Sequence, residues 1–258
     1  KIIDETYSER AGTCKIISRF RHYLQNLLKW IRINKGCAVG AIVGPFGYGK
    51  TSTAIHFWNE CKKTGIISIP PISWRNLEEI FNGVYGWVKY ALEKSAPNLN
   101  VKLDEIYKRY QKKSLEEISR VRKIPLYELD EMHESGLLVL DYQPKEIIDY
   151  LEEITNLILS AKFEGLILFL DELQITLEEY PKRDKFMNDI FILVNELLTR
   201  KGKYGIIFCM PTNTETLIAD IRKDIIQRLQ KCNIYIRADT IYDRKFPLEL
   251  WEKYAHLY

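Results

Sequence analysis

The chain has 258 residues, and its 38 Lys and Arg residues against 35 Asp and Glu residues give a net charge of +3. A hydrophobic content of 46% is sufficient for one large domain, or for a core domain that carries an insertion. The near balance of charge argues against nucleic-acid binding driven by the overall charge. Binding through a local basic patch is still compatible with it. Apolar stretches such as Ala38 to Val43 are about six residues long, whereas a membrane-spanning helix needs about twenty. We expect no membrane association.

The chain begins with Lys1-Ile2-Ile3-Asp4, which has neither an initiator methionine nor a signal-peptide pattern. We therefore expect it to be a piece of a longer protein. The five cysteines are widely spaced and include no C-x-x-C pair. That spacing predicts reduced, mostly buried thiols in a cytoplasmic protein, and no disulfide framework or zinc site.

Helical and apolar patterns alternate along the chain. Residues 16 to 33 repeat apolar side chains at helical spacing, which predicts an amphipathic helix. Short continuous apolar runs follow, and such runs are typical of strands buried on both faces of a parallel sheet. The predicted strands are Ala38–Val43, Ile66–Ile69, Leu166–Leu170, Gly205–Met210 and Asn233–Ile236. Predicted helices lie between them at Thr51–Lys63, Lys145–Lys162, Lys185–Arg200 and Glu215–Gln230. We predict an α/β fold with a parallel five-stranded sheet flanked by helices.

The segment from residue 71 to residue 143 breaks this alternation. Its pattern is helical, with Pro97 and Pro125 between the helical stretches. The helices are predicted over 77–94, 101–111, 115–122 and 126–135. We predict a helical insertion between the second and third strands, which divides the sheet domain into residues 1–70 and 144–258.

A glycine-rich sequence, G-P-F-G-Y-G-K-T, follows the first predicted strand and precedes a helix. It spans Gly44 to Thr51 and matches the pattern G-x-x-x-x-G-K-[ST] in its expected context. Its glycines let the backbone wrap a phosphate chain at a helix N-terminus, where an anion is favoured, whereas the alternative is a purely structural turn. Lys50 can then reach the β- and γ-phosphates, and the Thr51 hydroxyl can bind Mg²⁺. The predicted nucleotide-binding residues are Gly44, Pro45, Phe46, Gly47, Tyr48, Gly49, Lys50, Thr51 and Ser52.

Two acidic residues, Asp171 and Glu172, end the third predicted strand. At the carboxyl end of a parallel strand, such side chains face the crevice where ligands bind. Asp171 would hold Mg²⁺, directly or through water, and Glu172 would polarise the attacking water as a general base. A strand followed by a polar turn is common by itself. The pair is significant because it occurs together with the predicted phosphate loop, Gly44–Thr51. The adjacent glutamate favours ATP hydrolysis over a P-loop kinase or a small GTPase.

Polar residues follow the fourth predicted strand. Asn213, with Thr212 as second choice, could bond the γ-phosphate or the attacking water between the loop and the acidic strand. The alternative is a helix N-cap for a helix that starts near Glu215. Arg228, near the end of that helix, could reach a neighbouring subunit's nucleotide as an arginine finger, with Arg222 as an alternative. A solvated or salt-bridged arginine is the other interpretation.

These motifs, in this order, resemble the AAA+ class of P-loop ATPases. Gly44–Thr51 is similar to the Walker A motif, and the strand that ends in Asp171-Glu172 is similar to Walker B. Asn213 falls at the position of sensor 1 and Arg228 at that of the finger. The resemblance implies ATP and Mg²⁺ as ligands, ATP hydrolysis, and a homo-oligomer or a neighbouring ATPase subunit.

Four shorter sequences resemble the large ATPases of phage-defence (bacteriophage-exclusion) systems. They are Pro70–Trp74, Tyr85–Trp87, Asp171–Gln174 and Asp224–Leu229. This narrower resemblance implies an antiviral, DNA-associated assembly with other defence-system proteins as partners.

The AAA+ resemblance covers about residues 16 to 70 and 144 to 237, and the helical insertion lies outside it. Proteins of this class usually carry a helical lid after the fifth strand, with a second sensor arginine. Here only Phe246 to Tyr258 follows a short polar link. The lid either continues beyond the chain or is lacking, and no residue is assigned to the second sensor.

The segment 102–123 contains eight basic and four acidic residues, a local charge of +4. Residues 114–124 and 126–135 also resemble the two short helices of a helix-turn-helix. Together these features predict DNA contact, whereas the alternative is a solvated helical face with charge pairs at i, i+4. Two functions stay open at this point. One is an ATP-hydrolysing motor or remodeller in an oligomer, and the other is a slow or non-catalytic nucleotide switch whose insertion binds a protein partner.

Overall fold

A computed structural model describes residues 21–33, 36–73, 76–173, 183–232 and 234–238. In chain order its elements are α1 (Arg21–Arg32), β1 (Ala38–Gly44), α2 (Lys50–Lys62), β2 (Ile66–Ser73), α3 (Leu77–Ser95), α4 (Asn100–Arg122), α5 (Leu126–Glu134), α6 (Pro144–Ser160), β3 (Gly165–Asp171), α7 (Arg183–Thr199), β4 (Tyr204–Pro211), α8 (Thr212–Gln230) and β5 (Ile234–Arg237). A short 3₁₀ turn, Pro97–Leu99, joins α3 to α4. The predicted start of the first helix, residues 16–20, and the lid segment Phe246–Tyr258 lie outside the described residues.

The five strands form one sheet in the order β2-β3-β4-β1-β5, and every pairing is parallel. The predicted α/β class, with helices between the second and third strands, is confirmed. β4 lies between β1 and β3, so the end of β4 separates the phosphate loop from the acidic strand end, as expected. No helix in the described ranges is both long and apolar enough to cross a membrane.

Alternation along the strands divides the core into two layers. In β3, Leu166, Leu168 and Leu170 face one hydrophobic cluster, while Ile167 and Phe169 face the other. The first cluster contains residues of α3 to α8, and the second contains residues of α1 and α2. All residues of β1, β3 and β4 are buried. Burial on both faces explains why these strands are continuous apolar runs in the sequence.

β2 continues past the predicted end at Ile69 and includes Pro70 and Pro71. The pairing with β3 shifts register between Ile69 and Ile72. Proline has no N–H group to donate to a neighbouring strand. It is tolerated here because β2 is an edge strand and because the bulge interrupts the regular pairing with β3 at this point. The predicted insertion boundary at residue 71 therefore falls inside a strand.

α4 is one continuous helix, so the prediction of two helices over 101–111 and 115–122 is wrong. No glycine or proline interrupts the residues between them, and Ser114 and Leu115 are buried within the helix. The α3–α5 helices share the core that covers one face of the sheet, through side chains such as Val84, Leu103 and Leu129. Their assignment to a separate domain stays a prediction.

An aromatic cluster fastens the inserted helices to that core. The Phe81 ring of α3 lies 4.8 Å from Tyr107, 4.5 Å from Tyr142 and 4.4 Å from Tyr150, measured between ring centres. These partners belong to α4, to the segment before α6, and to α6 itself. Through Phe81, α4, the segment before α6, and α6 are therefore packed against α3 on one face of the sheet.

The burial of most of the described cysteines agrees with the expectation for these residues. Cys37, Cys61 and Cys209 are buried and Cys232 is half-buried, and these four described cysteines form no disulfide. Burial raises the pKa of the Cys61 thiol to about 12, which keeps it protonated and inert at neutral pH. Cys14 lies outside the described residues.

Asp189 on α7 is a half-buried carboxyl whose charge is unfavourable in the fold. Burial raises its pKa from 3.8 to about 6, with Lys185 acting against the shift and Asp141 adding to it. The pKa of Asp189 is higher in the folded state than in the unfolded chain, so folding favours the protonated, neutral carboxyl. The stability associated with that neutral form is fully present below pH 3.8. It is lost as the pH rises towards about 6.

We therefore predict that Asp189→Asn stabilises the protein at neutral pH. The free energy of unfolding should rise by roughly 1–2 kcal/mol at pH 7, because about 1.4 kcal/mol corresponds to one pKa unit and partial exposure reduces the effect. The gain should vanish below about pH 4. Urea unfolding across this pH range measures it, with the exposed Asp184→Asn as control. A gain that does not depend on pH would contradict the interpretation.

Candidate functional site

The phosphate loop connects β1 to α2. Gly47 and Gly49 have φ angles of 81° and 71°, in the left-handed region that favours glycine. A Cβ on Gly47 would meet no atom within 4 Å, so the backbone angle, and not space, requires glycine there. The Tyr48 N–H donates to the Pro45 carbonyl at 3.3 Å and closes a turn. Since α2 begins at Lys50, its unpaired N-terminal N–H groups adjoin this loop and favour an anion.

Lys50 is a buried cation held by the loop itself. Its Nζ donates to the Pro45 carbonyl at 2.8 Å and lies 5.4 Å from the centre of the Phe46 ring. Burial lowers the pKa of Lys50, and the nearby Asp171 carboxylate acts against that shift. An ammonium group has three donors. Within the described residues the Lys50 ammonium donates a single hydrogen bond, so its other donors are available to phosphate oxygens.

Thr51 and Asp171 form the polar contact that joins the loop to the acidic strand. The Thr51 hydroxyl donates to Asp171 Oδ2 at 2.6 Å, and the Glu172 N–H donates to Asp171 Oδ1 at 2.9 Å. Asp171 is 8% exposed. Burial raises the pKa of Asp171, while the hydrogen bonds from Thr51 and Glu172 act against the shift. The buried carboxylate would gain from a cation beside it.

The donor set suits magnesium. Mg²⁺ prefers oxygen ligands and is usually held by one or two protein oxygens, with waters and substrate phosphates completing its shell. A hydroxyl and a carboxylate oxygen stand together at Thr51 and Asp171. No group of three or more His, Cys, Asp or Glu side chains placed to hold a metal occurs in the ranges that the structure describes. One hydroxyl and one carboxylate are a donor set that fits Mg²⁺ shared with a phosphate.

Glu172 has an exposed side chain and a strained backbone. Its φ is 57°, which costs a non-glycine residue about 1–2 kcal/mol. The residue before it ends β3, and Leu173 after it is fully buried in the core. The left-handed turn thus buries Leu173 while it leaves the carboxylate at the surface. Strain of this kind is concentrated at functional sites.

One cavity of about 320 Å³ contains the groups described above. It is lined by Phe46, Gly47, Gly49, Lys50, Thr51, Ser52, Asp171, Glu172 and Pro211. Its volume is at the lower end of the range for ligand sites, about 300–1,000 Å³. Three of the predicted loop residues do not line it. Gly44 ends β1, Pro45 accepts the Lys50 hydrogen bond, and Tyr48 packs against the cluster formed with α1 and α2.

The polar residues after β4 are arranged differently from the prediction. α8 begins at Thr212 rather than near Glu215, and Pro211 occupies the N-cap position, so the N-cap interpretation is wrong. Asn213 is exposed, does not line the cavity, and accepts a hydrogen bond from the Thr214 N–H at 3.0 Å. The Thr212 hydroxyl is buried and has no hydrogen-bond partner among the described residues. It directly follows Pro211, which lines the cavity.

An ion pair between the buried Glu215 and the half-buried Arg237, which the sequence does not reveal, fixes this junction. Glu215 is 6% exposed and accepts from Arg237 Nη1 at 3.0 Å. The Tyr235 hydroxyl also donates to Glu215. These bonds tie the first turns of α8 to β5 and so hold the end of β4 beside the cavity. No local sequence pattern could have found them, because the partners are 20 and 22 positions apart.

The two candidate finger arginines lie on α8, and neither lines the cavity of its own chain. The exposed Arg228 has its guanidinium 5.5 Å from the Phe191 ring centre on α7. Arg222 lies 4.0 Å from the same ring and makes two hydrogen bonds of 3.1 Å to Asp224. The backbone at Arg222 is non-helical, so α8 is kinked there.

The basic segment 102–123 lies on α4 and its end. Lys112 pairs with Glu116 one helical turn away at 3.8 Å, the i, i+4 arrangement. Lys113 pairs with Glu146 of α6 at 2.7 Å, and Arg109 also pairs with α6. Part of the positive charge is therefore neutralised within the fold. DNA contact through this segment stays a prediction.

Comparison with known proteins finds similarity at the level of structure. No family model matches the chain, and no curated protein matches it either. The ORC2 protein of Aeropyrum pernix, solved as ADPNP-ADP complexes, superimposes with a TM-score of 0.49 and 14% sequence identity. The match covers 92% of this chain and 52% of that one, so the chain spans about half of that protein's length. The assignment to the P-loop NTPase type of α/β fold rests on the strand order and on the loop between β1 and α2.

The strained backbone at Glu172 gives a testable prediction about stability. Glu172→Gly should raise the free energy of unfolding by about 0.5–1 kcal/mol, because glycine adopts positive φ freely and only part of the gain is lost to unfolded-chain entropy. Lys162→Gly is the matched control, since Lys162 has a φ of 66° outside the cavity. Both variants should have a higher free energy of unfolding than the wild type, as measured by urea unfolding. If Lys162→Gly is stabilised and Glu172→Gly is not, the side chain of Glu172 has a structural role instead.

Proposed function

We propose that the chain is an AAA+-like module that binds and hydrolyses ATP with Mg²⁺, within a homo-oligomer or beside a neighbouring ATPase subunit. The observation that supports this best is the cavity in which the phosphate loop, the Thr51–Asp171 pair and Glu172 meet. Each group alone has a structural explanation. Together they supply a phosphate cradle, a magnesium site and a base, which are the parts that phosphoryl transfer to water requires.

Phosphate binding is assigned to the loop and Lys50. The N–H groups at the start of α2 and the left-handed Gly47 and Gly49 form a cradle that attracts anions. The Lys50 ammonium would exchange the Pro45 carbonyl for phosphate oxygens, which carry full negative charge and make the stronger hydrogen bond. The lowered pKa of Lys50 caused by burial would be offset by that charge.

Magnesium would be held by the Thr51 hydroxyl and the Asp171 carboxylate, where it would neutralise charge on the phosphates. The sheet keeps these two oxygens together, because β1 and β3 both pair with β4. Glu172, at the cavity edge, would accept the proton of the attacking water. Its position is fixed by the bond from its own N–H to Asp171.

Of the two polar residues that follow β4, Thr212 is the better candidate to contact the γ-phosphate or the attacking water between the loop and the acidic strand. Its buried hydroxyl has no partner in the described part of the chain, and a buried polar group without a partner is costly. A γ-phosphate oxygen or the attacking water would satisfy it. Asn213, the first choice from the sequence, already uses its side-chain oxygen on Thr214.

Arg228 is proposed as a residue that acts across a subunit boundary. It is exposed and does not line the cavity of its own chain, as is required of a finger for a neighbouring nucleotide. Arg222 is less suitable because Asp224 and the Phe191 ring already engage its guanidinium. The link to phage-defence assemblies and their DNA stays a prediction from the sequence resemblance.

The alternative function is a nucleotide switch that binds ATP without turnover, and two variants separate it from hydrolysis. Lys50→Ala should weaken ATP binding at least tenfold, since a charge-assisted contact of about 1.5–3 kcal/mol is lost. Glu172→Gln should leave binding intact and reduce hydrolysis by about 10²-fold or more, because the base is removed. Nucleotide titration and phosphate release measure the two effects. Binding without turnover in the wild type, unchanged by Glu172→Gln, would favour the switch.

Thr212 and Asn213 can be distinguished in the same assays. Thr212→Val keeps the shape of the side chain and removes the hydroxyl, so hydrolysis should fall by roughly tenfold or more with little change in ATP affinity. Asn213→Ala should change hydrolysis less than threefold, a difference below about 0.7 kcal/mol. Thermal melts check that both variants fold. The reverse ranking would restore Asn213 as the functional residue.

A further inference from the structure

The start of α8 is held without a capping side chain. β4 ends at Pro211 and α8 begins at Thr212, so no loop separates the strand from the helix. Pro211 occupies the N-cap position and makes no side-chain hydrogen bond there. A proline side chain offers no acceptor to the first N–H groups of a helix, which a cap would otherwise satisfy. The direction in which α8 leaves the sheet is therefore set by other contacts.

Glu215, in the first turn of α8, supplies these contacts by reaching towards β5. Its two carboxylate oxygens lie 3.0 Å and 3.4 Å from Arg237 Nη1, and the Tyr235 hydroxyl also donates to it. Burial raises the pKa of Tyr235, and the hydrogen bond to Glu215 adds to the shift, so the hydroxyl keeps its proton and donates. Both partners belong to β5, which is two places away from β4 in the sheet.

The strand between these two anchors is β1, which leads into the phosphate loop. On one side of β1, Gly44 pairs with Pro211 at the end of β4. On the other side, Val43 pairs with Arg237 of β5. The bond from Glu215 to Arg237 therefore crosses the strand end from which the phosphate loop starts. It holds the first turn of α8 at a fixed distance from that loop.

Thr212 is the residue whose position this arrangement decides. Thr212 and Glu215 are three positions apart on α8, and residues at that spacing are neighbours on the helix surface. The Thr212 hydroxyl is buried without a hydrogen-bond partner among the described residues, and the residue before it lines the cavity. A displacement of about 1 Å in a reacting site can lower the rate by about 10²-fold. The placement of this hydroxyl therefore matters for any reaction in the cavity.

We propose that Arg237 and Glu215 are positioning residues for ATP hydrolysis. They hold Thr212 where its hydroxyl contacts the γ-phosphate or the attacking water, so this inference rests on the proposed function and extends it. Neither Arg237 nor Glu215 lines the cavity, and both act through Thr212. A charge-assisted hydrogen bond is roughly twice as strong as a neutral one, which suits a contact that must resist displacement.

Removal of the guanidinium tests this proposal. Arg237→Ala should lower kcat by about tenfold or more, while the ATP dissociation constant changes less than about threefold, because Lys50 and the loop remain. Arg237→Lys keeps the positive charge and should restore part of kcat. In the Thr212→Val background, Arg237→Ala should have no further effect on kcat, because its effect is transmitted through the Thr212 hydroxyl.

Arg200→Ala is the matched control. Arg200 is also a half-buried arginine with acidic partners, Asp149 at 2.6 Å and Glu196 at 3.0 Å. It precedes β4, at the edge of the sheet opposite the cavity. Its loss should lower the melting temperature and leave kcat unchanged. If Arg237→Ala does not fold, Tyr235→Phe removes one hydrogen bond to Glu215 and should lower kcat by about threefold.

Hydrogen exchange of residues 212–216 gives a second measurement that needs no turnover. In the wild type, a non-hydrolysable ATP analogue should slow their exchange more than ADP does, and in Arg237→Ala this difference should disappear. A chain that shows the difference but hydrolyses no ATP would contradict the proposed hydrolysis and support the positioning by Arg237.

Three results would overturn the inference. The first is a kcat of Arg237→Ala equal to that of the wild type. The second is an effect of Arg237→Ala that persists in full in the Thr212→Val background. The third, in a chain without turnover, is exchange of residues 212–216 that ADP and the analogue affect equally, or that Arg237→Ala leaves unchanged.

Discussion

The hydrogen bond between the Thr51 hydroxyl and the Asp171 carboxylate, 2.6 Å long, is the contact on which the site depends. It joins Thr51, in the first turn of α2, to Asp171 at the end of β3. β1, which leads into the loop before α2, is separated from β3 by β4. A buried carboxylate is tolerated only when it has hydrogen-bond or charge partners. The fold must therefore bring the Thr51 hydroxyl within hydrogen-bond distance of the Asp171 carboxylate. The parallel pairing of β4 with both neighbours achieves this by aligning the carboxyl ends of all three strands.

Several residues at this edge of the sheet are unfavourable for the fold by itself. Lys50 is a buried cation with a lowered pKa, Asp171 is a buried carboxyl with a raised pKa, and Glu172 has a positive φ. The Thr212 hydroxyl is buried without a partner in the described residues. An anion and a metal ion would relieve the first two and supply a partner for the last. Local costs that one ligand set relieves together are the usual mark of a functional site.

The inserted helices extend one face of the sheet rather than standing apart from it. Phe81 packs against Tyr142 and Tyr150, and the Glu78–His133 contact fixes α5 to α3. α3 follows β2 directly, and β2 pairs with the acidic strand β3. The α4–α5 turn is therefore connected to the sheet through packed elements.

The sequence by itself determined the α/β class, the order of the elements, the phosphate loop and the acids after β3, because these depend on contiguous residues with a fixed pattern. It did not determine the extension of β2 through Pro70 and Pro71, since only an edge position tolerates them. The continuity of α4 could have been predicted, because no glycine or proline lies between the two helices that were expected there. The unpartnered Thr212 hydroxyl, the bond that Asn213 accepts from Thr214, and the bond from Arg237 to Glu215 are visible only in the tertiary structure. Such contacts join residues distant along the chain, and their energy depends on burial, which has no local sequence pattern.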